Sequence, residues 1–174
     1  MKIIFLDVDG ELTYANYRNR PTANIDIEKV KLLKQICDAT NAKVVISSSW
    51  RGNPGHRPSI YFILREILEE YGIDVIGDTP FIDTEFDEEN RVDILDLEEF
   101  YAKWHIKFGT GRGAEVHQWI EKNKPESFVI LDDEEWDWSA YGYDKYWVQP
   151  AYDIDGGLQP EHVEQAIKIL NGFY

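Results

Sequence analysis

Cysteine is nearly absent from this 174-residue chain: Cys37 stands alone. A single thiol excludes an internal disulfide and any cysteine-based zinc cluster. Long apolar runs are missing too. No stretch approaches the ~18 uncharged apolar residues that a membrane-spanning helix needs. Acids interrupt the opening MKIIFLDVDG before it reaches the length of a signal peptide. A soluble, cytoplasmic protein without a membrane partner is the expectation. Basic residues are the third shortage, with 18 Lys and Arg against 33 Asp and Glu, a net charge of -15. Such a field repels the phosphates of duplex nucleic acid. A small phosphorylated ligand stays compatible with it, because a bound metal or one local cation inverts the field inside a cleft.

Apolar side chains are plentiful, at 43% hydrophobic and 14% aromatic residues. That is enough surface to repay the ordering entropy of a folded chain, and the length suits a single domain over residues 1–174. Short branched runs at 2–8, 43–46, 73–76 and 128–131 have the length of buried strands, with a fifth at 146–148. Between them lie stretches of helical period. One spans 26–39, with Asp26 as its cap and Ile27, Val30, Leu33, Ile36 and Cys37 inward. Another runs from Ser59 to a stop at Gly72. The last two cover 113–123 and 161–170. Residues 77–111 are acidic, aromatic and weakly periodic, with a helix expected near 94–104. The alternation predicts an α/β fold: a doubly wound, mainly parallel sheet with helices on both faces.

In such a sheet, ligands bind beyond the carboxyl ends of the strands. Three strands end in polar clusters there: Asp7-Val8-Asp9-Gly10, Ser47-Ser48-Ser49 and Asp132-Asp133. Asp7 and Asp9, two apart, share one side if the strand stays extended. Several carboxylates in one small volume raise one another's pKa unless a cation intervenes, and an all-oxygen site suits Mg2+ above other ions.

The order of these pieces resembles the haloacid dehalogenase (HAD) superfamily of phosphohydrolases over residues 2–137. FLDVDGEL is similar to its apolar strand followed by DxDG, and Ser47 in VVISSSW to its Ser or Thr at the next core strand. Arg112 in TGRGAEVHQWI fits its basic residue at a helix start. VILDDEEWD supplies the acidic pair Asp132 and Asp133 and the later acid Asp137. SSSWR, RGAEVHQWI and VILDDE look closest to small HAD domains, including those associated with RNA-repair proteins. The resemblance implies a Mg2+-dependent phosphomonoesterase with a minimal cap, for which only about 77–111 remains. Asp7 is then the nucleophile that becomes an aspartyl phosphate, and Asp9 the general acid and base. Asp7, the backbone carbonyl of Asp9 and Asp133 hold Mg2+, supported by Asp132 and Asp137. Ser47 and Arg112 hold phosphoryl oxygens. Ser48 stands in for Ser47 if the strand runs one residue longer, and Lys107 is the alternative to Arg112.

Glu11 departs from the pattern, since the family usually has Thr or Val there. A loop carboxylate in so acidic a chain is expected to be hydrated and dispensable. Trp50 is balanced between a stacking platform and a core plug. His56 and Arg57 lie near the expected site, whereas His117, Trp136 and Trp138 read as packing residues. Three alternatives to a phosphatase acting on small substrates remain. One is a non-hydrolytic domain that binds phosphoryl ligands, and another a phosphatase acting on nucleic-acid ends. The third is a phosphoacceptor receiver domain with Asp78 as acceptor.

Overall fold

The apolar run at the start of the chain becomes β1 (Lys2–Leu6), in which Ile3 to Leu6 have no exposed surface. A strand buried on both faces needs a covering layer on each, and that requirement sets the architecture. The computed structural model describes residues 1–52, 57–82 and 111–173. Around β1 lie β2 (Lys43–Ile46), β3 (Val75–Asp78), β4 (Ser127–Leu131) and β5 (Trp147–Val148). All pair in parallel, in the order β3-β2-β1-β4-β5, and Phe5 sits opposite both Val45 and Ile130.

The described helices are α1 (Ile27–Thr40), α2 (Ser59–Glu70), α3 (Arg112–Asn123) and α4 (Pro160–Leu170). On one face of the sheet, Ile4, Leu6, Val44 and Val129 pack against residues of α1, α2 and α4 such as Leu33, Leu64 and Val163. On the other, Ile3, Phe5, Val45 and Ile130 meet Val116 of α3, with Trp138 and Tyr143 beyond it. The sheet is therefore doubly wound, as the alternation predicted. Local chemistry sets the helix ends. The Asp26 side chain accepts the Glu28 N–H at 2.9 Å to start α1, and Asn41 ends it in the left-handed region at φ 57°. At α4, Pro160 takes the first turn, where its missing N–H costs nothing, and His162 Nδ1 accepts the Gln159 N–H at 3.1 Å.

Two strands, β1 and β3, depart from the sequence expectation by two residues, and β4 and β5 by one. β1 stops at Leu6 rather than at residue 8. Asp7 N–H still bonds the Leu131 carbonyl, but the Leu12 and Thr13 N–H groups turn back onto the Val8 carbonyl. A tight loop therefore replaces the extended chain that would have put Asp7 and Asp9 on one side. β3 begins two residues late because Ile73 N–H is committed to closing α2 on the Leu68 carbonyl. The strand consequently takes Gly77 and Asp78 out of the expected 77–111 cover. Most of that cover, its 94–104 helix, Lys107, His105 and His56 lie outside the described residues. Among the described residues, no helix is long and apolar enough to cross a membrane.

Cys37 faces the core from α1, and burial pushes its thiol up to about 12. The thiolate is the reactive form. Iodoacetamide at pH 8 should leave the native protein unlabelled and modify it readily in urea. Native labelling at the denatured rate, followed by mass spectrometry, would mean that α1 opens locally.

Candidate active site

The strand order reverses between β1 and β4, with β2 and β3 on one side and β5 on the other. Open α/β sheets receive ligands in the crevice at such a point. Asp7 leaves β1 there and Asp132 and Asp133 leave β4, while Ser47 and Ser48 follow β2. Gly10 lets the first loop close over this edge. It sits at φ +89°, and a Cβ on it would overlap the Asp133 carboxylate.

Asp7, Glu11 and Asp133 each offer a carboxylate oxygen, and these three atoms lie within 4.8 Å of one another. Asp7 Oδ1 and both Glu11 oxygens are buried without a hydrogen-bond partner. Converging hard oxygen donors without a protein partner fit a divalent cation such as Mg2+. Glu11 is 0% exposed, which overturns the expectation of a hydrated loop residue. Its neighbour Leu12 is drawn into the core, and the Leu158 N–H holds the Glu11 carbonyl at 2.9 Å, so the side chain has no route to solvent.

The side chains of the other acids expected at the site have protein partners of their own. Asp132 Oδ2 lies 2.8 Å from Arg112 Nη1, and its Oδ1 accepts from the Glu134 N–H and the Trp136 indole at 3.1 and 3.0 Å. Asp9 Oδ1 accepts the Thr13 hydroxyl at 2.7 Å, and its Oδ2 the Trp50 indole N–H at 2.8 Å. Asp137 Oδ1 accepts the Gly113 N–H at 2.7 Å, so this acid stands at the start of α3 and not among the converging oxygens. The cap residue of α3 is Gly111, which has no side chain for the purpose. A Cβ at Gly111 or Gly113 would run into the Asp137 carboxylate, so both glycines admit the cap that Asp137 supplies.

Arg112 Nη1 also lies 3.0 Å from Asp7 Oδ2, so one nitrogen bridges acids from two strands. Its guanidinium packs 4.7 Å from the Trp136 ring centroid. Trp136, expected as a packing residue, is 37% exposed and packs as a rim over that cation. Trp138 does pack in the core. The two serines separate cleanly. Ser48 Oγ accepts the Trp50 N–H at 3.3 Å and starts the short 3-10 turn Ser49–Arg51, while the buried Ser47 Oγ has no partner.

Burial, then Asp7, Asp132 and Asp133, raise the Glu11 carboxyl well above the usual range. Burial, then Asp7, raise Asp133 to about 6. At the Arg112–Asp132 pair the two partners move the same way. Burial wins at Asp132 and raises it to about 7 against the pull of Arg112. At Arg112 burial works against the charge, but Asp7 and Asp132 outweigh it and hold the guanidinium more firmly protonated. A divalent cation reverses this crowding by supplying the missing positive charge.

A family model described as "HAD domain in Swiss Army Knife RNA repair proteins" matches residues 3–163. The chain belongs to this HAD family. No curated protein and no solved structure shows a significant match. The receiver alternative fails on topology, since receivers run 2-1-3-4-5 and this HAD domain runs 3-2-1-4-5. Asp78 is also committed, accepting from Arg57 Nη2 at 2.6 Å and the Tyr61 hydroxyl at 3.0 Å. Arg51 forms a buried pair with Glu115 at 2.5 Å, and Glu115 in turn accepts the Ile82 N–H. His117 shares a 2.7 Å hydrogen bond with the Tyr143 hydroxyl, a packing role as expected. Thr13 went unnoticed in the sequence. Its only cue is its place four residues after Asp9, which a loop of unknown shape leaves uninformative.

Asp137→Ala should lower stability by about 1 kcal/mol, the usual value of a helix cap. Urea unfolding followed by far-UV circular dichroism measures it. An unchanged midpoint would show that the first turn of α3 needs no partner from Asp137.

Proposed function

We propose that this HAD domain is a Mg2+-dependent phosphomonoester hydrolase acting through an aspartyl phosphate on Asp7. The observation that carries the proposal is Asp7 itself: a buried carboxylate at the strand-order reversal, with one oxygen unpartnered and the other on Arg112. The unpartnered oxygen has a lone pair free to attack phosphorus as the bond to the leaving oxygen breaks. Asp9, oriented by Thr13 and Trp50, gives that leaving oxygen a proton. It then takes one from the water that attacks the aspartyl phosphate, which frees phosphate and restores Asp7. Arg112 and the Ser47 hydroxyl supply fixed donors for the phosphoryl oxygens. Asp7, Asp133 and the Asp9 carbonyl would hold a Mg2+ ion, which when bound offsets the repulsion between an anionic nucleophile and an anionic ester.

Substrates of this class are small phosphomonoesters and phosphorylated nucleic-acid ends. The family's association with RNA repair supports including the ends, while the net charge of -15 argues against duplex binding. The single buried thiol suits a cytoplasmic setting. A second reading, a domain that binds phosphoryl ligands without efficient turnover, is favoured by the burial of Glu11 beside Asp7.

The test is hydrolysis of p-nitrophenyl phosphate, nucleotides and 3′- or 5′-phosphorylated oligonucleotides, with Mg2+ and with EDTA. Asp7→Asn should cost roughly three orders of magnitude or more, as loss of a nucleophile does. Near wild-type rates from that variant would remove Asp7 from the chemistry. A wild-type chain that binds metal and phosphate but turns over no member of the panel would favour the second reading.

The two neighbouring acids of β4 should differ in calorimetric titrations with Mg2+. Asp133→Asn should weaken binding more than Asp132→Asn, because both oxygens of Asp132 are engaged by Arg112, Trp136 and the Glu134 N–H. The reverse order would move the metal ligand one residue back.

A further inference from the structure

Glu11 is completely enclosed at this edge, and neither of its oxygens has a protein partner. Asp9 is held by Thr13 and Trp50, Asp132 by Arg112 and Trp136, and Asp137 by the Gly113 N–H. An ionised carboxylate deprived of both water and donors is costly unless a cation meets it. The carboxylates beside it, Asp7 and Asp133, are of the same sign. Its backbone cannot easily swing away, since the Leu158 N–H holds the Glu11 carbonyl and a Cβ on Gly157 would touch that same oxygen at 3.0 Å.

We propose that Glu11 is a third carboxylate ligand of the divalent cation and that its charge competes with that of the phosphoryl group at this site. The assignment rests on the cation site of the phosphohydrolase reading and concerns how this chain controls it. Four carboxylates, Asp7, Glu11, Asp132 and Asp133, face the Arg112 guanidinium and one divalent cation, so formal negative charge outnumbers positive before any ligand arrives. A phosphate dianion entering that site meets repulsion as well as attraction. Removal of the Glu11 charge leaves the same groups neutral in sum. Glu11 therefore acts on the two ligands in opposite directions: it favours the metal-loaded, phosphate-free state and weakens the phosphate-bound one.

Calorimetric titrations on the full chain test this, with Mg2+ alone and then with inorganic phosphate at saturating Mg2+. Glu11→Thr should weaken Mg2+ binding tenfold or more and tighten phosphate binding by a similar factor. The melting temperature of the wild type should rise more on adding Mg2+ than that of the variant. Should Glu11→Thr fail to fold by circular dichroism, the isosteric Glu11→Gln carries the same two expectations. Unchanged Mg2+ affinity in a folded variant overturns Glu11 as a ligand. Weaker metal binding with unchanged or weaker phosphate binding overturns the competition. Asp133→Asn separates the two levels. Loss of Mg2+ there, with no change at Glu11, sinks only this inference, whereas a wild-type chain that binds no Mg2+ sinks the cation site beneath it as well.

Discussion

The pairing of β1 with β4 is the constraint on which the site depends. The two strands run parallel from Lys2 opposite Ser127 to Leu6 opposite Leu131, and the Asp7 N–H extends the ladder onto the Leu131 carbonyl. Residues far apart in sequence thereby leave the sheet side by side, Asp7 from one strand and Asp132 and Asp133 from the next. The register is secured by apolar side chains on both faces of the two strands, and a slip of one residue would turn each of them to the wrong layer. The carboxylates are thus held together by packing below them rather than by attraction to one another.

Like charges assembled this way need compensation, and the structure distributes it unevenly. Arg112 serves Asp7 and Asp132, and the Trp136 indole and the Glu134 N–H add donors to Asp132. Asp9 is satisfied by Thr13 and Trp50. Among the groups left without a partner are one Asp7 oxygen and the whole Glu11 carboxylate, close to Asp133. Part of the chain's negative charge is thus gathered in this crevice into oxygen donors that fit a cation.

The surrounding polar contacts are largely structural and keep the edge rigid. The Arg51–Glu115 pair ties the turn after β2 to α3 and takes up the Ile82 N–H. Asp137 supplies the cap that Gly111 cannot, and in doing so fixes where Arg112 begins its helix. Trp136 lies against the guanidinium and forms the outer wall of the site. A motif acid and two motif glycines therefore act on the position of a cation rather than on a ligand directly.

Much of this was legible in the chain itself. Branched runs bounded by turn residues marked the strands, helical periods marked the helices, and their alternation implied a doubly wound parallel sheet. Polar clusters at the strand ends then marked Asp7, Asp9, the serines at 47–49, Asp132 and Asp133, since a parallel sheet brings like ends together, and the HAD resemblance pointed to Ser47 among the serines. Strand boundaries were less accessible, because they turn on which N–H closes the preceding element, as Ile73 does for α2. The direction of each side chain within the crevice was not accessible at all. Sequence spacing treats Asp9, Glu11, Asp132 and Asp133 as equivalent acids, and only the tertiary structure gives Asp9 an indole, Asp132 a guanidinium and Glu11 nothing. The physical reason is that composition and periodicity decide which residues are buried and at which edge they gather. Hydrogen-bond partners come from distant segments, Trp50 for Asp9 and Arg112 for Asp132, whose approach is set by the packing of the whole sheet.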